Sequence, residues 1–137
     1  MTTPQLTRNF EREDPRVLAA ARRFLETIFS EAPRAAERLA APGFAWFGAP
    51  LARADWDRPH LALGAKVAIG AVRAVPDTLL KQRRAEALVL VDLSLPRRSG
   101  GREEVTVLVA VDRQDTRIER VEDPAWVKAA LERTGQG

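Results

Sequence analysis

Asp92 stands in the middle of an apolar run, Leu88-Val89-Leu90-Val91-Asp92-Leu93, and shares a strand face with Leu88 and Leu90. A carboxylate desolvated in this way must find a partner, take up a proton or face a wet cavity. Three readings stand open: a pocket acid able to move a proton, one half of a structural ion pair with one of the 19 arginines of the chain, or an edge position near solvent. His60 is the sole imidazole, and it follows Asp55-Trp56-Asp57-Arg58-Pro59. Either acid would orient it as a base, and a surface histidine is the plainer alternative. Asp92 and His60 are thus the candidate catalytic pair. One histidine among scattered acids lacks metal-ligand spacing, so no metal site is expected. Trp46 and Trp56 suit the wall of a half-open cavity, because indole is large, apolar and carries one donor. Trp126 is expected to hold the last helix against a sheet.

Other chemistry is excluded by what the chain lacks. With no cysteine there is no thiol nucleophile, disulfide or thiolate-bound metal. Gly100-Gly101 falls in a hairpin rather than before a helix, so no phosphate-cradling loop is present and no nucleotide cofactor is expected. The net charge is +3. Its arginines are interleaved with 19 acids, and Arg22-Arg23, Arg83-Arg84 and Arg97-Arg98 are short pairs near glutamates. A surface that tracks nucleic acid needs clustering on one face, so no nucleic-acid partner is expected. Arg97, Arg98 and Arg102 around the hairpin tip read as a solvated tip or a contact for an anion. Arg84 and Glu86 read as a charge pair, solvated or across a cavity mouth. The polar first residues and the absence of a run of about 18 apolar residues point to a cytoplasmic protein that does not cross a membrane.

The elements that must position these residues follow from spacing. The 137 residues suit one domain, with 1–13 a loose polar arm. Asp14-Pro15 opens a helix over 15–30, on which Val17, Leu18, Ala21, Phe24, Leu25, Ile28 and Phe29 form an apolar stripe. A second helix is predicted over 33–41, ended by Pro42-Gly43. Phe44 to Phe47 is a short aromatic strand. The stretch from His60 to Ala74 reads as helix or strand. Pro76-Asp77 marks a turn, and Leu79 to Arg83 reads as a short strand. Beyond it the apolar period becomes two: strands over 86–95 and 103–112 flank the loop at Pro96–Arg102, and both are apolar on both faces. Arg117–Glu122 reads as a polar, edge-like strand, and Asp123-Pro124 caps a final helix.

Helix, helix, short strand, helix-like segment and a meander ending in Val107–Asp112 and Arg117–Val121 resemble the nuclear-transport-factor-2-like superfamily, which includes the SnoaL-like and ketosteroid-isomerase-like proteins. The stretch Ala68–Asp77 resembles the helix-then-Pro-Asp step before their sheet. The resemblance spans about residues 14–123. It implies an α+β domain in which a strongly curved antiparallel sheet wraps around N-terminal helices as a cone with an apolar pocket. Trp46, Phe24, Trp56, Leu90 and Leu108 are the residues expected to line that pocket. It also implies a homodimer joined through the outer sheet face, which two-sided apolar strands independently suggest.

The family's catalytic sets do not transfer intact. Where the isomerases carry an acidic base this chain has Trp46-Phe47-Gly48, it has no tyrosine, and the place of their oxyanion-hole Asp holds Leu108. Asp92 and Asp123 match two acids of the epoxide hydrolases, but Leu90 replaces the arginine between which and Asp92 one residue should lie. The dehydratases use a His with an Asp and tyrosines, of which only His60 and an acid are at hand. The reading is therefore a binding protein for a small apolar or aromatic molecule without a cofactor. The alternative is a cofactor-free isomerase, cyclase, dehydratase or hydrolase using Asp92 and His60.

Overall fold

The computed structural model describes residues 14–63, 66–75 and 86–136. Helix α1 (Pro15–Ile28) starts where the Asp14 carboxylate accepts the Arg16 backbone N–H at 2.9 Å, with Pro15 in the first turn. It buries Val17, Ala21, Phe24, Leu25 and Ile28, the stripe that the spacing predicts. The predicted second helix is a 3-10 segment, Pro33–Leu39. Ala32 gives it no side-chain cap and Ala40 is already extended, so only short, tightly wound turns form.

Strand β1 (Ala40–Trp46) begins four residues before Phe44 and pairs with β2 (Ala49–Pro50) across Phe47-Gly48. Both linking residues have positive φ, 49° and 82°. Such a two-residue turn matches the twist of the strands it joins; glycine adopts it freely, and a bulky Phe adopts it under strain. The ambiguous stretch is both structures in turn: helix α2 (Arg58–Leu63), then strand β3 (Ala68–Ala74). Strands β4 (Glu86–Pro96) and β5 (Arg102–Asp112) pair in unbroken register from Glu86 opposite Asp112 to Pro96 opposite Arg102. Strand β6 (Ile118–Glu122) and helix α3 (Ala125–Gln136) complete the chain, with Asp123 Oδ1 accepting the Ala125 N–H at 2.8 Å. The predicted arm 1–13, the Pro76-Asp77 turn and the strand Leu79–Arg83 lie outside the described residues.

The sheet has six strands in the order β2-β1-β6-β5-β4-β3. It is mixed rather than antiparallel, because β1 runs parallel to β6. Nor is β6 an edge. It lies between β1 and β5, and its polarity is tolerated there because its apolar and polar residues take opposite faces. Ile118 and Val121 are buried in the core, while Arg120 and Glu122 pair on the other face.

Two apolar clusters sandwich the long strands. On one face Ala87, Val89, Val91 and Leu93 of β4, with Val107, Val109 and Val111 of β5, pack against Phe24, Leu25 and Ile28 of α1. On the other, Leu88, Leu90, Leu108 and Ala110 pack with Val75 and with Val127 of α3. The covering that two-sided apolar strands demand is thus supplied, at these four residues, by the chain's own last helix.

Candidate functional site

The aromatic residues gather at one end of the α1 face. Phe44 of β1 stacks on Trp56 at 5.2 Å between ring centroids, and Phe24 reaches both, at 5.1 and 6.3 Å. All three are buried. Trp46 lies further along β1, half-buried, edge-on to Phe29 at 6.1 Å and to Phe47 at 5.0 Å. A cleft of about 320 Å³ opens over this cluster. Phe44 and Trp56 form its back, Pro42, Pro50 and Leu51 its sides, and Glu37 and Arg117 its two charged members. Trp46 does not line it.

The residues expected around one pocket are therefore divided by the sheet. Phe24 and Trp56 belong to the α1 face, and Leu90 and Leu108 to the face covered by α3. The reason is the strict period of two in an unbroken ladder: Leu90 and Leu108 are register partners and must point together, away from Val89 and Val109.

Asp92 follows the same parity and lies on the α3-side face. Its Oδ1 accepts a 2.8 Å hydrogen bond from Arg73 Nη2 of β3 and another of 2.8 Å from the Thr106 hydroxyl, across the ladder on β5. Of the readings left open, this is the ion pair, in a partly solvated position. His60 sits on α2. Its Nε2 is buried with no hydrogen-bond partner. Asp57 is 3.7 Å from Arg34 instead. Asp92 and His60 do not hydrogen-bond to each other. Among the described residues no group of His, Asp and Glu stands close enough to hold a metal ion.

The hairpin tip, expected to be solvated or to contact an anion, is used in part structurally. Arg102 Nε donates to Ser94 Oγ at 2.6 Å, and its Nη2 donates to the carbonyls of Lys66 and Ser94 at 2.6 and 2.7 Å. The expected pairing of Glu86 with Arg84 lies outside the described residues. Arg120 donates to both Glu86 oxygens, at 2.8 and 2.9 Å. The same Arg120 donates through Nε to Glu122 at 2.9 Å, and Glu122 accepts the Trp126 indole N–H at 2.7 Å. The chain of contacts runs from β4 through β6 to α3.

Glu119 joins this cluster through a break in register. Ala110 pairs with Arg120 and Val111 with Ile118, so Glu119 is the extra residue of a β-bulge. The bulge brings Glu119 into a hydrogen bond with Glu86 on the Arg120 side. The shared hydrogen bond and burial, with the charges of Glu86 and Asp112, push the Glu119 carboxyl up to about 7, against the opposing pull of Arg120. Sequence reasoning missed Glu119 because a bulge leaves no mark in an alternating pattern.

A second cleft, of about 450 Å³, lies between α1, the 3-10 segment and the β5–β6 turn, and is rimmed by arginines. Its α1 wall was legible in principle: Arg16, Ala19, Ala20 and Arg23 are spaced as one helix face.

No protein-family model matches this sequence, and the search of curated proteins returns no relative for it. No described helix is long and apolar enough to cross a membrane.

Proposed function

We propose that the chain is a non-catalytic binding protein, on a nuclear-transport-factor-2-like plan, whose ligand is a small apolar or aromatic molecule. The observation that carries this is the 320 Å³ cleft with the stacked Phe44 and Trp56 at its back and proline and leucine at its sides. A volume of this size is at the small end of ligand pockets, which begin at about 300 Å³, and fits one or two fused rings. The element order, with α1 packed on one face of a six-stranded sheet, supports the plan. A cone-like curvature of the sheet belongs to the same reading. The commitment of Asp92 to Arg73 and Thr106, with no hydrogen bond to His60, favours binder over enzyme, since acid–base chemistry needs both groups free to reach one reacting atom.

The test is a titration with naphthalene- and indole-sized compounds, followed by tryptophan emission. Trp56 should report binding, and Trp56→Phe should abolish the signal while calorimetry still detects the heat. Leu51→Glu, which places a charge at the rim, should abolish both. Unchanged binding to Leu51→Glu, or no saturable response to any compound, would end this reading.

A further inference from the structure

Four arginines and one carboxylate surround the 450 Å³ cleft. Helix α1 presents Arg16 and Arg23 at the ends of one face, seven residues or about 10 Å apart along the axis. Ala19 and Ala20 between them leave an open, apolar floor. Across from it stand Arg38 and Leu39 of the 3-10 segment and Arg117 of the β5–β6 turn.

That turn is firmly built. Asp112 Oδ1 accepts the backbone N–H groups of Gln114 and Asp115 at 2.8 and 3.1 Å, and Asp115 Oδ1 accepts that of Arg117 at 2.9 Å. Thr116 takes a positive φ of 60° within it.

The four cations differ in their commitments. Arg16 is bound to Asp14. Arg117 donates to the Ala40 carbonyl at 3.2 Å and lies 4.0 Å from Asp115. Among the described residues, the side chains of Arg23 and Arg38 take no hydrogen bond or ion pair. Two uncommitted guanidinium groups on one concave surface raise its potential and attract an anion.

A carboxylate is filled by a single guanidinium fork, whereas a phosphate monoester has three terminal oxygens and can accept from two forks at once. We propose that this cleft binds the phosphate group of a small organic phosphate, with Arg23 and Arg38 as its ligands and Ala19, Ala20 and Leu39 against the uncharged body. The cleft meets the aromatic one at Arg117, which lines both, but Arg23 and Arg38 line this cleft alone, and the proposal does not depend on the function proposed for the other.

Phenyl phosphate is the probe, titrated at constant ionic strength and followed by calorimetry and amide chemical shifts. The wild-type chain should bind it saturably, and shifts should move in Ala19, Ala20 and Leu39. Arg23→Ala and Arg38→Ala should each weaken binding about tenfold, and the double variant should abolish it. Arg98→Ala, at the exposed hairpin tip, should bind as the wild type does, and circular dichroism should show every variant folded. Absence of saturation by 10-millimolar-range (roughly, the weak limit of a specific site) phenyl phosphate would overturn the proposal. So would full binding by the double variant, or an equal loss in Arg98→Ala, which would mark attraction to net charge alone.

Discussion

Arg120 grips Glu86 with both terminal nitrogens, at 2.8 and 2.9 Å, and so ties the first residue of β4 to the middle of β6. Glu86 is only 13% exposed, Glu122 meets the same guanidinium at 2.9 Å, and Glu119 feels its charge. Arg120 is the positive charge that lets these acids share one face. Arg120→Met should therefore destabilise the fold by about 2–3 kcal/mol in denaturant titration at pH 7, less than for a fully dry pair because the site is part-solvated. Replacing Glu86 and Arg120 together with Gln and Met should cost less than Arg120→Met alone.

Glu119 makes the stability depend on pH. Its carboxyl titrates near 7 in the folded chain and in the ordinary glutamate range, near 4.5, when unfolded. The folded state thus holds the proton more tightly, and the stabilisation is fully present below about pH 4.5 and lost as pH rises through about 7. Unfolding midpoints between pH 5 and 8 should fall for the wild-type chain and stay flatter for Glu119→Gln. An equally steep fall in that variant would assign the effect elsewhere.

Asp92 and Arg73 are 34% and 54% exposed, so their 2.8 Å contact is a partly screened pair. Asp92→Asn keeps an acceptor for Thr106 and should cost about 1 kcal/mol. Thermal unfolding at pH 7 in low and high salt checks this: the difference between the two proteins should shrink with salt.

Helix α3 should be what shields Leu88, Leu90, Leu108 and Ala110. Val127→Asp places a charge among Leu88, Leu90, Leu108 and Ala110, which should release the helix and leave that patch open. Hydrogen exchange should rise in Ala125–Gln136, and sedimentation should show concentration-dependent species larger than those of the wild-type chain.

Phe47 holds φ at 49° and is 46% exposed at the β1–β2 turn. Phe47→Asn creates Asn-Gly, the pair best suited to that turn, and should raise stability by about 0.5–1 kcal/mol. A loss in calorimetry would mean that the Phe47 ring contact with Trp46 outweighs the relieved strain.

Much of the fold was legible because local rules sufficed. Asp14-Pro15 and Asp123-Pro124 place two helix starts, since a short acceptor beside a residue without an N–H satisfies the first turn from within the sequence. The alternation in 86–95 and 103–112 places the long hairpin and tells which residues share a face, so the parity of Asp92 with Leu88 and Leu90 was determined without coordinates. What those faces meet was not. Alternation is symmetric, and only the docking of α1 on one side and α3 on the other decides that Leu90 and Leu108 cannot join Phe24 and Trp56 around one cavity.

The sites depended on tertiary structure more heavily. Arg16, Ala19, Ala20 and Arg23 form a helix face by spacing alone, but Arg38 and Arg117 reach that face from segments 15 and 94 residues away from Arg23 along the chain. The polar character of 118–122 suggested an edge, because sequence shows polarity but not the partner that neutralises it; Arg120 lies 34 residues from Glu86 and is interior because the two meet. The bulge at Glu119 is a mismatch between two strands, a property of their pairing that neither strand contains by itself.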